Sequence, residues 1–84
     1  MNKHHNVQSL DFEAHWMILT VDDQTVRLPI AQTSSRLANA SDAERKLYQV
    51  SPSGYGIHWP AIDEDLSIDG LLKLAQTLPQ QTTA

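Results

Sequence analysis

The chain contains no cysteine among its 84 residues, which excludes a disulfide framework and every metal or nucleophile chemistry that needs a thiolate. A reducing cytoplasm is the compartment expected for it. No apolar run approaches the ~20 residues a membrane-spanning helix needs, and the opening Met-Asn-Lys-His-His-Asn-Val-Gln lacks the apolar core of a signal peptide. A soluble protein with no membrane partner is expected. Positive charge is scarce too: six Lys plus Arg stand against ten Asp plus Glu, a net charge of -4, which disfavours nonspecific attraction to nucleic acid or an anionic bilayer. Aromatic residues are few, with one Phe, two Tyr and two Trp, and a chain this short buries a limited core, so each large apolar side chain matters. No internal repeat or low-complexity tract is present. The expected organisation is one α+β domain over residues 7–79, with a flexible N-terminus over 1–6 and a flexible tail over 80–84.

The most informative stretch runs from Gly54 to Leu72. Tyr55, Ile57 and Trp59 fall at alternate positions, so a strand would turn them to one face and Gly56 and His58 to the other. Pro60 lacks the N–H that a ladder requires and holds Trp59 extended, so the strand should stop there. After Asp63, Glu64 and Asp65, the residues Ile68, Leu71, Leu72, Ala75 and Leu78 recur at helical spacing. Ser67 is placed to cap that helix, Asp69 lies in its favourable first turn, and Pro79 marks its end. Gly70 costs about 1 kcal/mol of helix propensity relative to Ala, which is understandable if another backbone passes close by.

Upstream, Leu10 and Phe12 alternate in a short strand over 7–13. Trp16 to Val21 and Thr25 to Ile30 form a hairpin about Asp23-Gln24, with Val21 opposite Val26, Leu19 opposite Leu28 and Met17 opposite Ile30. Trp16 and Ile18 then lie on the reverse face, a candidate interaction face that is either covered by a helix or another subunit or carries an exposed patch. Ala31 to Ala40 is compatible with a short helix, and Ser41 with Glu44 forms a capping box for another starting at Asp42. Leu47 to Val50 reads as a strand that the Ser51-Pro52-Ser53-Gly54 turn joins to Tyr55 to Trp59. The fold class is therefore α+β: a small antiparallel sheet made of hairpins with two or three short helices, the last amphipathic and C-terminal.

Few residues invite chemistry. His4 and His5 sit on a solvated terminus without further ligands, so no metal role is assigned to them. His58 followed by Asp63, Glu64 and Asp65 is the one constellation able to bind a divalent ion or exchange protons, although carboxylates before a helix are ordinarily explained by capping and dipole effects. No serine lies in a glycine-flanked elbow and no phosphate loop is present. Arg36, Arg45 and Lys46 are the candidate nucleic-acid contacts, with a solvated helix face as the plainer explanation. No catalytic residue, metal ligand or cofactor is assigned.

The run Gly56-Ile57-His58-Trp59-Pro60-Ala61-Ile62-Asp63-Glu64-Asp65-Leu66-Ser67-Ile68-Asp69-Gly70-Leu71-Leu72 resembles a recurrent ending of the DUF 2442 family of small bacterial proteins, a domain of unknown function. Upstream the resemblance continues through Pro29 to Ala31, Ser35 to Leu37, Ala40-Ser41 and Glu44-Arg45, from about Leu10 to Leu72. Where many relatives carry Asp-Gly-Arg at the hairpin turn, this chain has Asp23-Gln24; aromatics after the Pro-Leu-Ala-like step are replaced by Gln32-Thr33, and a Pro-Arg-Leu triplet by Ser35-Arg36-Leu37. The resemblance implies a compact α+β fold and a protein regarded as an antitoxin-like partner of a small neighbouring protein. His58, Trp59, Asp63, Glu64, Asp65 and Ser67 are its signature positions, and it implies no catalytic residues. The leading expectation is a nonenzymatic module that binds a partner protein, a basic toxin-like neighbour, and itself as a dimer. The alternatives are a DNA-binding regulator and a metal or acid-base site at His58 and the acidic turn.

Overall fold

In the computed structural model, residues 5–79 are described. Two three-stranded antiparallel sheets carry the architecture, ordered β1-β2-β3 and β4-β5-β6. The first contains β1 (Val7–Glu13), β2 (Trp16–Val21) and β3 (Gln24–Pro29). Three short helical turns follow: α1 (Ile30–Thr33), α2 (Ser35–Ala38) and α3 (Asp42–Lys46). The second sheet contains β4 (Gln49–Val50), β5 (Gly56–Trp59) and β6 (Glu64–Ser67), and the longest helix, α4 (Ile68–Gln76), closes the fold. The α+β class and its hairpin basis hold, with the strands divided between two sheets.

The β2–β3 hairpin turns at Asp22-Asp23 rather than Asp23-Gln24, so Val21 pairs with Gln24, Leu19 with Val26 and Met17 with Leu28. Both turn residues have positive φ, 52° and 64°, as the tight turn favoured by strand twist requires, and Asp tolerates that backbone better than Gln. Each pairing moves by two residues, which leaves every side chain on its expected face. Ile30 leaves the ladder and begins α1. The single helix expected over 31–40 is instead two turns, interrupted where buried Ser34 adopts extended backbone and its hydroxyl accepts from the Leu37 N–H at 3.1 Å. The capping box of Ser41 and Glu44 is present as expected.

In the second sheet, the strand expected over 47–50 shrinks to Gln49–Val50, and β5 begins at Gly56, leaving Tyr55 outside the ladder. Pro60 ends β5 and opens a 3-10 turn over Pro60–Ile62. The acidic run is not a turn throughout: only Asp63 is left-handed, φ 53°, and Glu64–Ser67 pair with β5 as a third strand. Ser67 caps α4 by accepting from the Gly70 N–H at 2.9 Å. The neighbour that Gly70 accommodates is that hydroxyl, 2.7 Å from where a Cβ would sit, and not a passing backbone.

One core joins the two sheets. Leu10, Met17, Leu19, Val21, Val26 and Leu28 from the first sheet meet Ile57 and Trp59 from the second, with Leu37, Ile68, Leu71 and Ala75 between them. Trp59 is fully buried, and its indole N–H donates to the Arg45 carbonyl at 3.0 Å. Among the described residues every buried side-chain nitrogen or oxygen has a partner. At the start of the described chain, Asn6 donates its N–H to the Asp22 carboxylate at 2.8 Å, and the His5 N–H reaches the Ser53 carbonyl at 3.1 Å. A local reading could not see these long-range partners. Residues 1–4 and 80–84, including His4 and the expected tail, lie outside the described residues.

Trp59→Ala should lose about 3–5 kcal/mol through core deletion, a large part of the ~5–15 kcal/mol typical of a domain. Trp59→Phe, which mainly removes the N–H to Arg45, should lose about 1–3 kcal/mol. Urea unfolding followed by circular dichroism measures both; a Trp59→Phe variant as stable as the parent would deny the indole hydrogen bond any special part.

Candidate functional site

Strand alternation sorts the second sheet into two faces. Ile57 and Trp59 face the core, with Leu66 opposite Ile57 and Glu64 opposite Trp59. On the outer face Gln49, His58 and Asp65 form one row across all three strands, and Gly56 lies opposite Ser67 in the next. His58 donates from Nδ1 to Asp65 Oδ1 at 2.7 Å. Gly56 contributes no side chain there, and a Cβ would come within 3.2 Å of the Leu66 carbonyl. Its bareness leaves a hollow of about 560 Å³, walled by Gln49, Val50, Pro52, Tyr55, His58 and Asp65.

The β4–β5 turn shapes one wall. Ser51 Oγ accepts from the Tyr55 and Gly56 N–H groups at 3.0 and 3.1 Å, and Gly54 takes φ 68°. Only glycine fits that point, because a Cβ would lie 1.8 Å from the His5 carbonyl oxygen. The turn projects Tyr55 into solvent at 64 % exposure, against the expectation that it shares the buried face of Ile57 and Trp59. Apolar walls with a few polar groups are the common composition of a binding cleft. Sequence reasoning found His58 and Asp65 but missed Gln49, Val50 and Gly56, whose meeting depends on cross-strand register.

The signature positions divide by role. Trp59 is core, and Asp63 presents its carbonyl to the Arg36 guanidinium. Glu64 accepts the buried Ser34 hydroxyl and, through its other oxygen, the Asp65 N–H at 3.0 Å. Ser67 is the helix cap. His58 and Asp65 are left facing the hollow. Because β6 is extended, Glu64 and Asp65 point to opposite faces, so of the two only Asp65 meets the imidazole. Among the described residues no group of three or more His, Asp or Glu could hold a metal ion. What the His58–Asp65 pair can do chemically is orient an imidazole toward a ligand in the hollow, as a hydrogen-bonding group or proton acceptor.

The other candidate residues are also placed. Arg45 donates to the Leu37 and Ala38 carbonyls at 2.9 and 3.1 Å, so it and Arg36 bind backbone oxygens of their own fold, while Lys46 is exposed at the end of α3. Trp16 and Ile18 lie on the outer face of the first sheet, where the Arg27 guanidinium sits 5.1 Å from the Trp16 ring centroid.

The sequence profile of a family described as protein of unknown function, DUF2442, matches residues 7–77. Among solved structures, a protein of unknown function from Rhodospirillum rubrum ATCC 11170 is similar, with a TM-score of 0.67 at 23 % identity over 84 % of this chain and 88 % of that one. That likeness concerns the fold. No curated protein matches the chain. No helix among the described residues is long and apolar enough to cross a membrane.

Neighbouring carboxylates should respond unequally to mutation. Asp65→Asn alters an exposed pair and should change stability by less than about 1 kcal/mol, whereas Glu64→Ala strands the buried Ser34 hydroxyl and should cost about 1–3 kcal/mol. Chemical denaturation decides the ranking, and an Asp65 loss that matched or exceeded that of Glu64 would reverse the assignment of the two residues.

Proposed function

From the premise that the chain belongs to the DUF2442 family, we propose a nonenzymatic interaction module that receives an extended, basic segment of a partner protein on the outer face of its second sheet. The observation that carries this reading is the clustering of exposed apolar side chains at the hollow. Tyr55, 64 % exposed, stands on its wall, and Val50 and Leu47, 38 % and 60 % exposed, lie along the same edge, Val50 in the cross-strand row of Ile57. Isolated exposed apolar residues are ordinary, whereas a cluster beside a concave surface is typical of recognition sites. β4 is an edge strand, the usual place for an extended segment to add backbone hydrogen bonds. Charge supplies the partner's sign: the chain carries -4, and exposed Asp65 of β6 lines the cleft. A small toxin-like neighbour in the cytoplasm meets this description, and Trp16 with Ile18 on the first sheet offers a second contact area or a self-association face.

The rival is an acid-base or metal-assisted activity at His58, favoured by its 2.7 Å bond to Asp65. The arginine tethers favour the DNA-binding reading less, since Arg36 and Arg45 already serve backbone carbonyls.

Light scattering on a sizing column, with the protein alone and after coexpression with its genomic neighbour, should reveal a stable hetero-complex. Val50→Asp and Tyr55→Ala should each weaken it by on the order of tenfold or more, as for residues at the centre of an interface, with an unchanged far-ultraviolet spectrum. Absence of a complex, or a complex indifferent to both variants, overturns the proposal. A melting temperature that rises with Mg, Mn, Zn or Ca would instead support the metal-assisted rival.

A further inference from the structure

Three separated parts of the fold meet at His5. Its Nδ1 lies 2.8 Å from Asp22 Oδ2 in the β2–β3 turn, and its Nε2 lies 3.0 Å from Asp69 Oδ1 in the first turn of α4. From the β4–β5 turn come the uncharged Ser53, whose carbonyl accepts the His5 N–H, and Gly54, which packs against the His5 carbonyl. The ring is only 15 % exposed. Asp23, beside Asp22, is engaged with Gln8, whose side-chain amide donates to it at 2.9 Å. Among the described residues, Asp22 and Asp69 are thus the two titratable groups that face the ring from the elements packed on it.

A neutral imidazole carries one N–H, whereas two carboxylates here each require one. Only the imidazolium satisfies both. We propose that His5 is a proton-operated clasp: doubly protonated, it pins the N-terminal segment across both turns and the start of α4, and loss of its second proton releases one side and leaves Asp22 and Asp69 to repel each other across the ring. The same turn that His5 grips walls the hollow through Pro52 and Tyr55, so the clasp regulates the order of that wall. This last consequence rests on the function proposed above; the clasp does not.

The hydrogen bond to Asp22, and then the one to Asp69, raise His5 above its ordinary value of 6.5. The same bond from His5, followed by the Asn6 N–H, lowers the Asp22 carboxyl below its ordinary 3.8. A raised histidine value means that the stabilisation is complete below 6.5 and disappears as pH rises through the folded value. A lowered carboxyl means that the stabilisation is present above 3.8 and is lost only as pH falls through the folded value. The clasp is closed between those limits and opens on the alkaline side.

Nuclear magnetic resonance of the full chain tests this without any ligand. The His5 ring should titrate with a midpoint above 6.5, with both ring nitrogens protonated below it. Exchange protection of the His5 and Asn6 amides, corrected for intrinsic rates, should fall on the order of tenfold through that midpoint. Asp69→Asn should lower the midpoint, and His5→Gln should abolish the pH dependence of Asn6 protection. A midpoint at or below 6.5, or protection that does not change across it, overturns the clasp. If the ring titrates as expected and partner affinity ignores pH, the coupling to the hollow is overturned while the clasp stands.

Discussion

Burial of Trp59 is the constraint on which the rest of this fold depends. An indole in a core must still satisfy its N–H, and here the acceptor is the Arg45 carbonyl on α3. The same residue's guanidinium holds the last carbonyls of α2, around buried Leu37. One strand further on, Glu64 takes the hydroxyl of Ser34, the residue that divides α1 from α2. The weakly coded segment between the sheets therefore has its shape set by contacts with the second sheet. Ring packing against Tyr48, with centroids 6.2 Å apart, extends the link, and the Tyr48 hydroxyl reaches the Leu10 carbonyl of β1.

The acidic run of the signature is best understood through strand alternation. Successive residues of β6 look to opposite faces, so Glu64 enters a buried tie while Asp65 meets His58 in solvent. Most of the signature is thereby accounted for by folding: Trp59 as core, Asp63 as the left-handed hinge into β6, Glu64 as a brace and Ser67 as a cap. On the complementary face a bare glycine and an outward tyrosine border a cleft.

That face is small, and its wall is a turn held partly by the N-terminal segment. Gly54 and His5 are in such close contact that the turn's conformation and the segment's position are mutually dependent. Local openings of a small domain concentrate in segments with few apolar contacts, and this junction relies on hydrogen bonds and charge.

Residue order alone determined the features that depend on neighbours a few positions apart. The alternation of the first hairpin, the Ser41–Glu44 capping box, the Ser67 cap and the apolar stripe of α4 were legible because local backbone geometry repeats with a known period. The faces of β2 and β3 were legible too, but their pairing was not: registers two residues apart bury the same side chains, and the left-handed turn at Asp22-Asp23 made the choice. Strand β6 was hidden because three carboxylates resemble a helix approach until β5 offers them a ladder. Of the candidate cleft, His58 and Asp65 were visible as residue types, whereas the exposure of Tyr55, the role of Gly56 and the bonds of His5 were decided by tertiary structure, since each depends on partners brought together only by the folded chain.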